Sequence, residues 1–216
     1  MFDTSFSLND LTFMAHGAWL TLQLTFWAML IGTVFGLAFG LLRAMYPKRT
    51  IPLGWFLDIF RSVPLLIQFV LFNSFKSIAQ LPYDAFEVAS IVLGVYTASF
   101  CTEIVRSGVL SVPDGLSRAS RSLGMTQKQT LLYIVIPLAT RIAFPGWINL
   151  TLSVMKDSAL VMWIGVIELL RASQSIITRI QEPLLVLCVA GLFYYVMSLV
   201  IARVGVKIER RWQIND

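Results

Sequence analysis

The sequence predicts an all-α fold, a polytopic helix bundle that crosses a membrane about five times, and three observations carry that prediction. Of the 216 residues, 57% are hydrophobic and only 13% charged, with a mean hydropathy of +0.76, far from the balance of a water-soluble domain. The apolar residues gather in runs close to the ~20 residues a helical span needs, and a bilayer core without water demands elements that satisfy their own backbone. Ten-residue segments of alternating polarity, the mark of a membrane β-barrel, do not occur in the sequence.

Apolar runs and their punctuation place the spans at 17–45, 63–77, 86–110, 138–163 and 183–206. Asp3 and Asp10 precede the first span and no basic residue occurs before Arg43, so the basic start of a cleaved signal peptide is absent and the first span is expected to be retained. Gly32, Gly36 and Gly40 put a small residue on one helix face every fourth position, a ridge that lets a neighbouring helix approach closely. The second span opens with FRSVPLLIQ. Pro64 lacks a backbone donor, so the helix is expected to start or kink there. Arg61 just before it either reaches lipid head groups or contacts a partner helix. The loop AQLPYDAFE, 79–87, carries two acids and no base. In the third span Glu103 and Arg106 sit three apart and read as a structural pair.

From 113 to 130 the chain abandons its apolar habit. This stretch reads as a short helix, a turn and a second helix: Asp114 caps the first, Gly124 supplies the break and Thr126 caps the second. Leu116, Ala119, Ser120 and Leu123 form a small apolar or neutral face with nothing inside the loop to cover it. Such a face lies on lipid or docks another protein; its small residues favour a protein groove.

The fourth span is interrupted by Lys156 and Asp157. A charge at the bilayer centre costs roughly 2.5–3.5 kcal/mol on insertion scales, so this pair is expected to face protein or water. Asn149, Ser153 and Lys156, at i, i+4 and i+7, make one polar side, with Asp157 one residue further round. Glu168 and Arg171 read as a helix-surface pair beyond the span, and the fifth span leads to a tail holding Lys207, Arg210 and Arg211.

The basic residues explain the net charge of +5 without nucleic acid. Arg43, Lys48 and Arg49, then Arg118, Arg121 and Lys128, then the tail alternate correctly to share one side of the membrane. By the positive-inside rule the N-terminus is outside and the C-terminus cytoplasmic. Cys101 and Cys188 lie apart in apolar surroundings and read as packing residues, so neither a disulfide nor a metal site is expected. The chain has no phosphate-cradling G-x-x-x-x-G-K loop, and its single histidine, His16, stands outside any catalytic motif. The chain is therefore not expected to be an enzyme.

At this point the residues carry a resemblance. Arg118-Ala119-Ser120, then Gly124, then Ile134-Val135-Ile136-Pro137 keep the spacing of the EAA motif of ABC importer permeases: EAA, three residues, Gly, nine residues, I-x-L-P. FRSVPLLIQ, TEIVRSGVLSVPDG and KDSALVMWIGVIELLRAS resemble FRGTPLLVQ, AEIVRGGIQSVPKG and KDSSLVSVIGVVDLLRAA of the polar amino acid branch, and the similarity runs from Gly17 to about Arg211. The resemblance implies a single ABC-type-1 transmembrane domain over 1–216, set in a bacterial inner membrane and paired with a copy or homologue of itself. It implies coupling helices at about 113–130, with Gly115, Arg118, Ala119, Ser120, Leu123, Gly124 and Met125 against an ATPase subunit that holds ATP and Mg. An extracytoplasmic amino acid binding protein would deliver substrate, and membrane lipid surrounds the bundle. One departure stands out: Arg118 replaces the motif's glutamate and Ser120 its second alanine. Either the ATPase surface has changed charge to match, or a sister permease keeps the acid.

In such a dimer the fourth helices would line the pathway. An amino acid zwitterion needs a cation or amide for its carboxylate and an acid for its ammonium, and Lys156 and Asp157 supply one of each, with Asn149 and Ser153 beside them and Glu168 as a second-rank candidate. The competing reading makes Lys156 and Asp157 a structural ion pair. An ion-gradient-driven secondary transporter is the alternative function, and it fits less well because five spans without internal repeats do not make two halves. A structural membrane protein would leave the two intramembrane charges without a task.

Overall fold

The computed structural model describes residues 5–213, so Asp3 lies outside the described residues. Among the described residues four helical runs are long and apolar enough to cross a membrane, Leu8–Met45, Ala85–Leu110, Gln127–Ile164 and Pro183–Trp212, and Leu65–Ile78, apolar but shorter and joined at a sharp bend to Ile51–Ser62, stands where the remaining span is expected. The five expected spans are thus present, with altered limits.

Helix α1 (Leu8–Met45) starts earlier than the apolar run suggests, because Ser7 and Asp10 close a capping box in which Ser7 N donates to Asp10 Oδ2 at 2.9 Å. Its glycine ridge lies on α4 (Ala85–Leu110): a Cβ on Gly32, Gly36 or Gly40 would come within 2.3, 2.5 and 2.6 Å of Thr97, Cys101 and Val105. Only glycine permits that approach, and dispersion across it replaces a hydrophobic drive that lipid does not provide. Cys101 is a packing residue as expected, whereas Cys188 is exposed on the last helix.

Helices α2 (Ile51–Ser62) and α3 (Leu65–Ile78) meet at 101°. Pro64 offers no donor and drives Val63 to extended geometry, φ −83° and ψ 129°. Gln68 then turns back, its Nε2 donating to the Phe60 and Val63 carbonyls at 2.8 Å each, so acceptors freed by the break are satisfied. The expected second span therefore begins at the break, and the chain before it is a further helix. Arg61 takes the partner-helix option: it pairs with Asp58 and lies 3.9 Å from Glu103 on α4.

After α4 come α5 (Asp114–Ser122) and the single turn α6 (Gln127–Thr130), which passes through a π-turn (Leu131–Val135) into α7 (Ile136–Asp157). A 3₁₀ stretch (Ser158–Ile164) extends α7; α8 (Leu169–Ile180) packs on α1 and α9, and α9 (Pro183–Gln213) ends the fold. Two cores result: Leu24, Phe69, Leu93 and Val154 among α1, α3, α4 and α7, and Met14, Leu169, Ile176 and Val186 among α1, α8 and α9. Phe26, Val34, Leu71, Leu192 and Val200 stay exposed on the outer faces, as a lipid solvent allows.

Contacts fix the helix directions. Residues 32, 36 and 40 of α1 meet 97, 101 and 105 of α4 in order, so these two run parallel; Gly108 meets Ala139 and Ala143 while Ile104 meets Gly146, and Gly205 meets Ile148 while Trp212 meets Phe144, so α7 opposes both α4 and α9. The C-terminal ends of α1, α4 and α9 and the start of α7 accordingly share one end of the bundle. That end carries all three basic segments, while Asp10, Asp84 and Glu87 lie at the other.

Candidate functional site

The polar segment at the basic end is a fastened elbow. Helix α5 is preceded by Pro113 as its N-cap, so Asp114 stands in the first turn and does not cap it, a correction to the sequence reading. The helix closes with Leu123 N donating to Ala119 O at 3.1 Å, Gly124 N to Arg121 O at 3.0 Å and Met125 N to Ser120 O at 3.2 Å. Gly124 sits at φ +86°, the left-handed conformation in which glycine carries no penalty. Thr126 then caps α6 as expected, accepting from Gln129 N at 3.3 Å while Gln129 Oε1 accepts from Thr126 N at 2.8 Å.

The expected neutral face divides. Ser120 turns inward and its hydroxyl meets that of Thr130 at 2.9 Å, both buried, which pins α5 to α6. Leu116 and Leu123 remain exposed, Leu123 at 85%, and Gly115, Arg118 and Ala119 are also exposed, with Met125 half-buried. The resulting surface is polar at its rim and apolar at Leu116 and Leu123, and nothing among the described residues covers it. Because α6 runs through the π-turn into α7 as one helical length from Gln127 to Ile164, a force on the elbow passes directly into α7.

On α7, Asn149, Ser153 and Lys156 are exposed along one face and Asp157 is half-buried beside them. Among the described residues neither the Lys156 nor the Asp157 side chain forms an ion pair or hydrogen bond within the protomer. The helix is held to α1 by Trp147 Nε1, which donates to Thr33 Oγ1 at 2.8 Å. Beyond Asp157 it tightens to 3₁₀ and stops at Gly165, φ +95°.

Glu168 corrects the sequence reading twice. It is fully buried and forms no surface pair with the Arg171 guanidinium; it is the N-cap of α8, accepting from Leu170 N at 2.7 Å and Arg171 N at 2.8 Å, and from Tyr194 Oη at 3.3 Å. Nor does it join the polar stripe, since both carboxylate oxygens are engaged inside the second core. Glu168→Ala should therefore lower the stability of the detergent-solubilised chain by about 2 kcal/mol, the cost of a lost cap and of the hydrogen bond from Tyr194. Thermal unfolding followed by circular dichroism reads that loss. Transport per folded molecule should stay within about twofold, because no cargo contact worth even 1 kcal/mol is removed.

Sequence reasoning missed two elements that position this site. Helix α8 buries Leu169, Ala172, Ser173, Ile176 and Ile180, and its Arg179 pairs with Asp10 of α1. The Glu103–Arg106 pair, 3.2 Å, exists as expected but belongs to a larger cluster in which Arg43 of α1 also bonds Glu103. Their signals were the i, i+3, i+4, i+7 spacing of the buried residues of α8 and the surplus of arginines opposite one glutamate.

Comparison with known proteins agrees with this architecture. Residues 32–214 match the family model described as binding-protein-dependent transport system inner membrane component. The L-cystine transport system permease protein TcyB of Bacillus subtilis is 30% identical, covering 94% of this chain and 96% of that protein. The glutamine transport system permease protein GlnP of Escherichia coli is also 30% identical, covering 89% and 91%. A crystal structure of an amino acid ABC transporter with histidines superposes with a TM-score of 0.84 at 28% identity, over 96% of this chain and 99% of that one. The inward-facing MetNI methionine transporter shares the fold, with a TM-score of 0.81 at 24% identity over 95% and 99% of the two chains. The chain belongs to the inner membrane components of binding-protein-dependent transport systems: it is a multi-pass permease subunit, with the use of ATP on a separate subunit.

Proposed function

We propose that this permease passes polar amino acids inward as a dimer, with a second copy or a homologue, and is driven through its elbow by a paired ATPase. The observation that carries the reading is mechanical: an exposed, hydrogen-bonded elbow is continuous with the helix that bears Asn149, Ser153, Lys156 and Asp157. A rigid element transmits a two-state motion where a soft one absorbs it. Gly115, Arg118, Ala119, Leu123, Gly124 and Met125 form the docking surface, and Ser120 locks it from within. Closure of the ATPases around ATP and Mg draws the two elbows together and opens the α7 faces toward an external amino acid binding protein; hydrolysis resets them. Cargo of this class is supported by relatives named for cystine, glutamine and arginine transport. The gathering of all basic segments at the elbow end supports a cytoplasmic C-terminus and an external N-terminus.

Proteoliposomes containing the permease, its ATPase and its binding protein provide the test. Uptake of a polar amino acid should require ATP inside the vesicle and should be indifferent to proton and sodium ionophores. Uptake that follows an ion gradient without nucleotide would instead favour secondary transport.

A further inference from the structure

The elbow end holds a second polar feature, apart from the elbow itself. Where α1 ends against α2 and α4, a hollow of 270 Å³ is lined by Arg43, Thr50, Gly54, Trp55, Asp58 and Arg106. Gly54 shapes it: a Cβ there would lie 2.7 Å from Arg43 Nη2, so the missing side chain lets the guanidinium lie across α2. Charge in the cluster does not balance. Arg43, Arg61 and Arg106 gather around Glu103 and Asp58, three guanidiniums against two carboxylates, leaving one uncompensated positive charge in a partly buried place. The guanidiniums also carry more N–H donors than the two acids accept.

Helix α2 supplies the surroundings. Ile51, Trp55, Phe56 and Ile59 are all exposed, Trp55 at 71%, and at i, i+4, i+5 and i+8 they form one apolar face running at 101° to the following span. Lys48 and Arg49 stand just before it. A helix with an apolar aromatic face, next to basic residues and nearly perpendicular to a span, is suited to lie in the membrane interface. An anion that reaches the hollow from that face arrives attached to acyl chains.

We propose that this hollow binds the headgroup of an anionic phospholipid, with the phosphodiester on Arg43 and Arg106 and the chains along Trp55 and Ile59. A phosphodiester carries one negative charge, which matches the surplus, and its two free oxygens suit the planar donors of a guanidinium. Phosphatidylethanolamine suits the site less, because its ammonium returns the positive charge that the phosphate removes.

Native mass spectrometry of the full chain, released from micelles containing graded phosphatidylglycerol, phosphatidylethanolamine or diacylglycerol, tests the proposal. One phosphatidylglycerol should be retained per chain, phosphatidylethanolamine about fivefold more weakly, as expected for one charge at a membrane surface, and diacylglycerol not at all. Arg106→Gln neutralises the cluster and should weaken phosphatidylglycerol by a similar factor of about five, whereas Arg106→Lys should restore most of it and Arg210→Gln, at the end of α9, should change nothing. Trp55→Ala, on an exposed face, decides the matter if Arg106→Gln loses its helical structure, and should also reduce retention. Undiminished retention in the folded variants overturns the proposal, as does displacement of the lipid by inorganic phosphate at equal concentration, which would make this a site for free anions.

Discussion

Gly124→Pro should cut ATP-driven uptake by on the order of 100-fold, equivalent to about 2.7 kcal/mol, while insertion and helical content are preserved. Gly124 sits at φ +86° and its N–H donates to Arg121 O at 3.0 Å. Proline fixes φ near −65° and has no N–H, so both the turn and that bond are lost, and the Met125 N to Ser120 O bond that depends on the same reversal goes with them. The damage stays local because nothing lies within 4 Å of a Cβ at this position and the spans do not pack on it. Gly124→Asn is the control, since asparagine tolerates the left-handed region and should retain most uptake. Leu123→Glu reaches the same conclusion without altering the backbone: at 85% exposure the side chain supports no core, so lost uptake with an intact fold would locate the defect in docking. Normal uptake by Gly124→Pro would mean that the elbow does not transmit the ATPase motion.

Local chemistry made this elbow legible in the sequence. Glycine at a helix end, threonine at a helix start and the spacing to Pro137 are patterns among near neighbours, and the glycine ridge is likewise a pattern within one helix, although α4, which it seats against, lies far along the chain. What escaped depends on groups far apart in the chain. Whether residues 51–62 form a helix is set by an exposed apolar face that reads as an ordinary loop until a surface is there to receive it. The role of Glu168 could not be read from its neighbour Arg171, because its burial comes from Tyr194 and from the backbone of α1 at Gly17. Asp114 was misjudged by one position: a cap is defined by extended backbone, and Pro113, at φ −59° and ψ 129°, already occupies that conformation. Ser120, which departs from the alanine of the motif, proves to be paired with Thr130, so that departure has a local physical reason. Arg118 is exposed, and nothing among the described residues accounts for it.

The second large effect is expected at Lys156. Its side chain is exposed on a span, in line with Asn149 and Ser153. Left against lipid, such a charge costs roughly 2.5–3.5 kcal/mol, so a second permease or a water-filled path must cover this face. Lys156→Met keeps the length of the side chain and removes the charge. If the ammonium holds the carboxylate of the cargo, uptake per dimer should fall about 10- to 100-fold, the worth of one charge-assisted hydrogen bond, while ATP hydrolysis by the assembled complex continues. Asp157→Asn should weaken uptake less, because its half-buried side chain is turned partly away from the stripe. If Lys156 instead pairs with the partner permease, Lys156→Met should lower the temperature at which the dimer dissociates and leave uptake per surviving dimer unchanged. Measuring both quantities on one preparation separates a lysine that binds cargo from one that binds the other half.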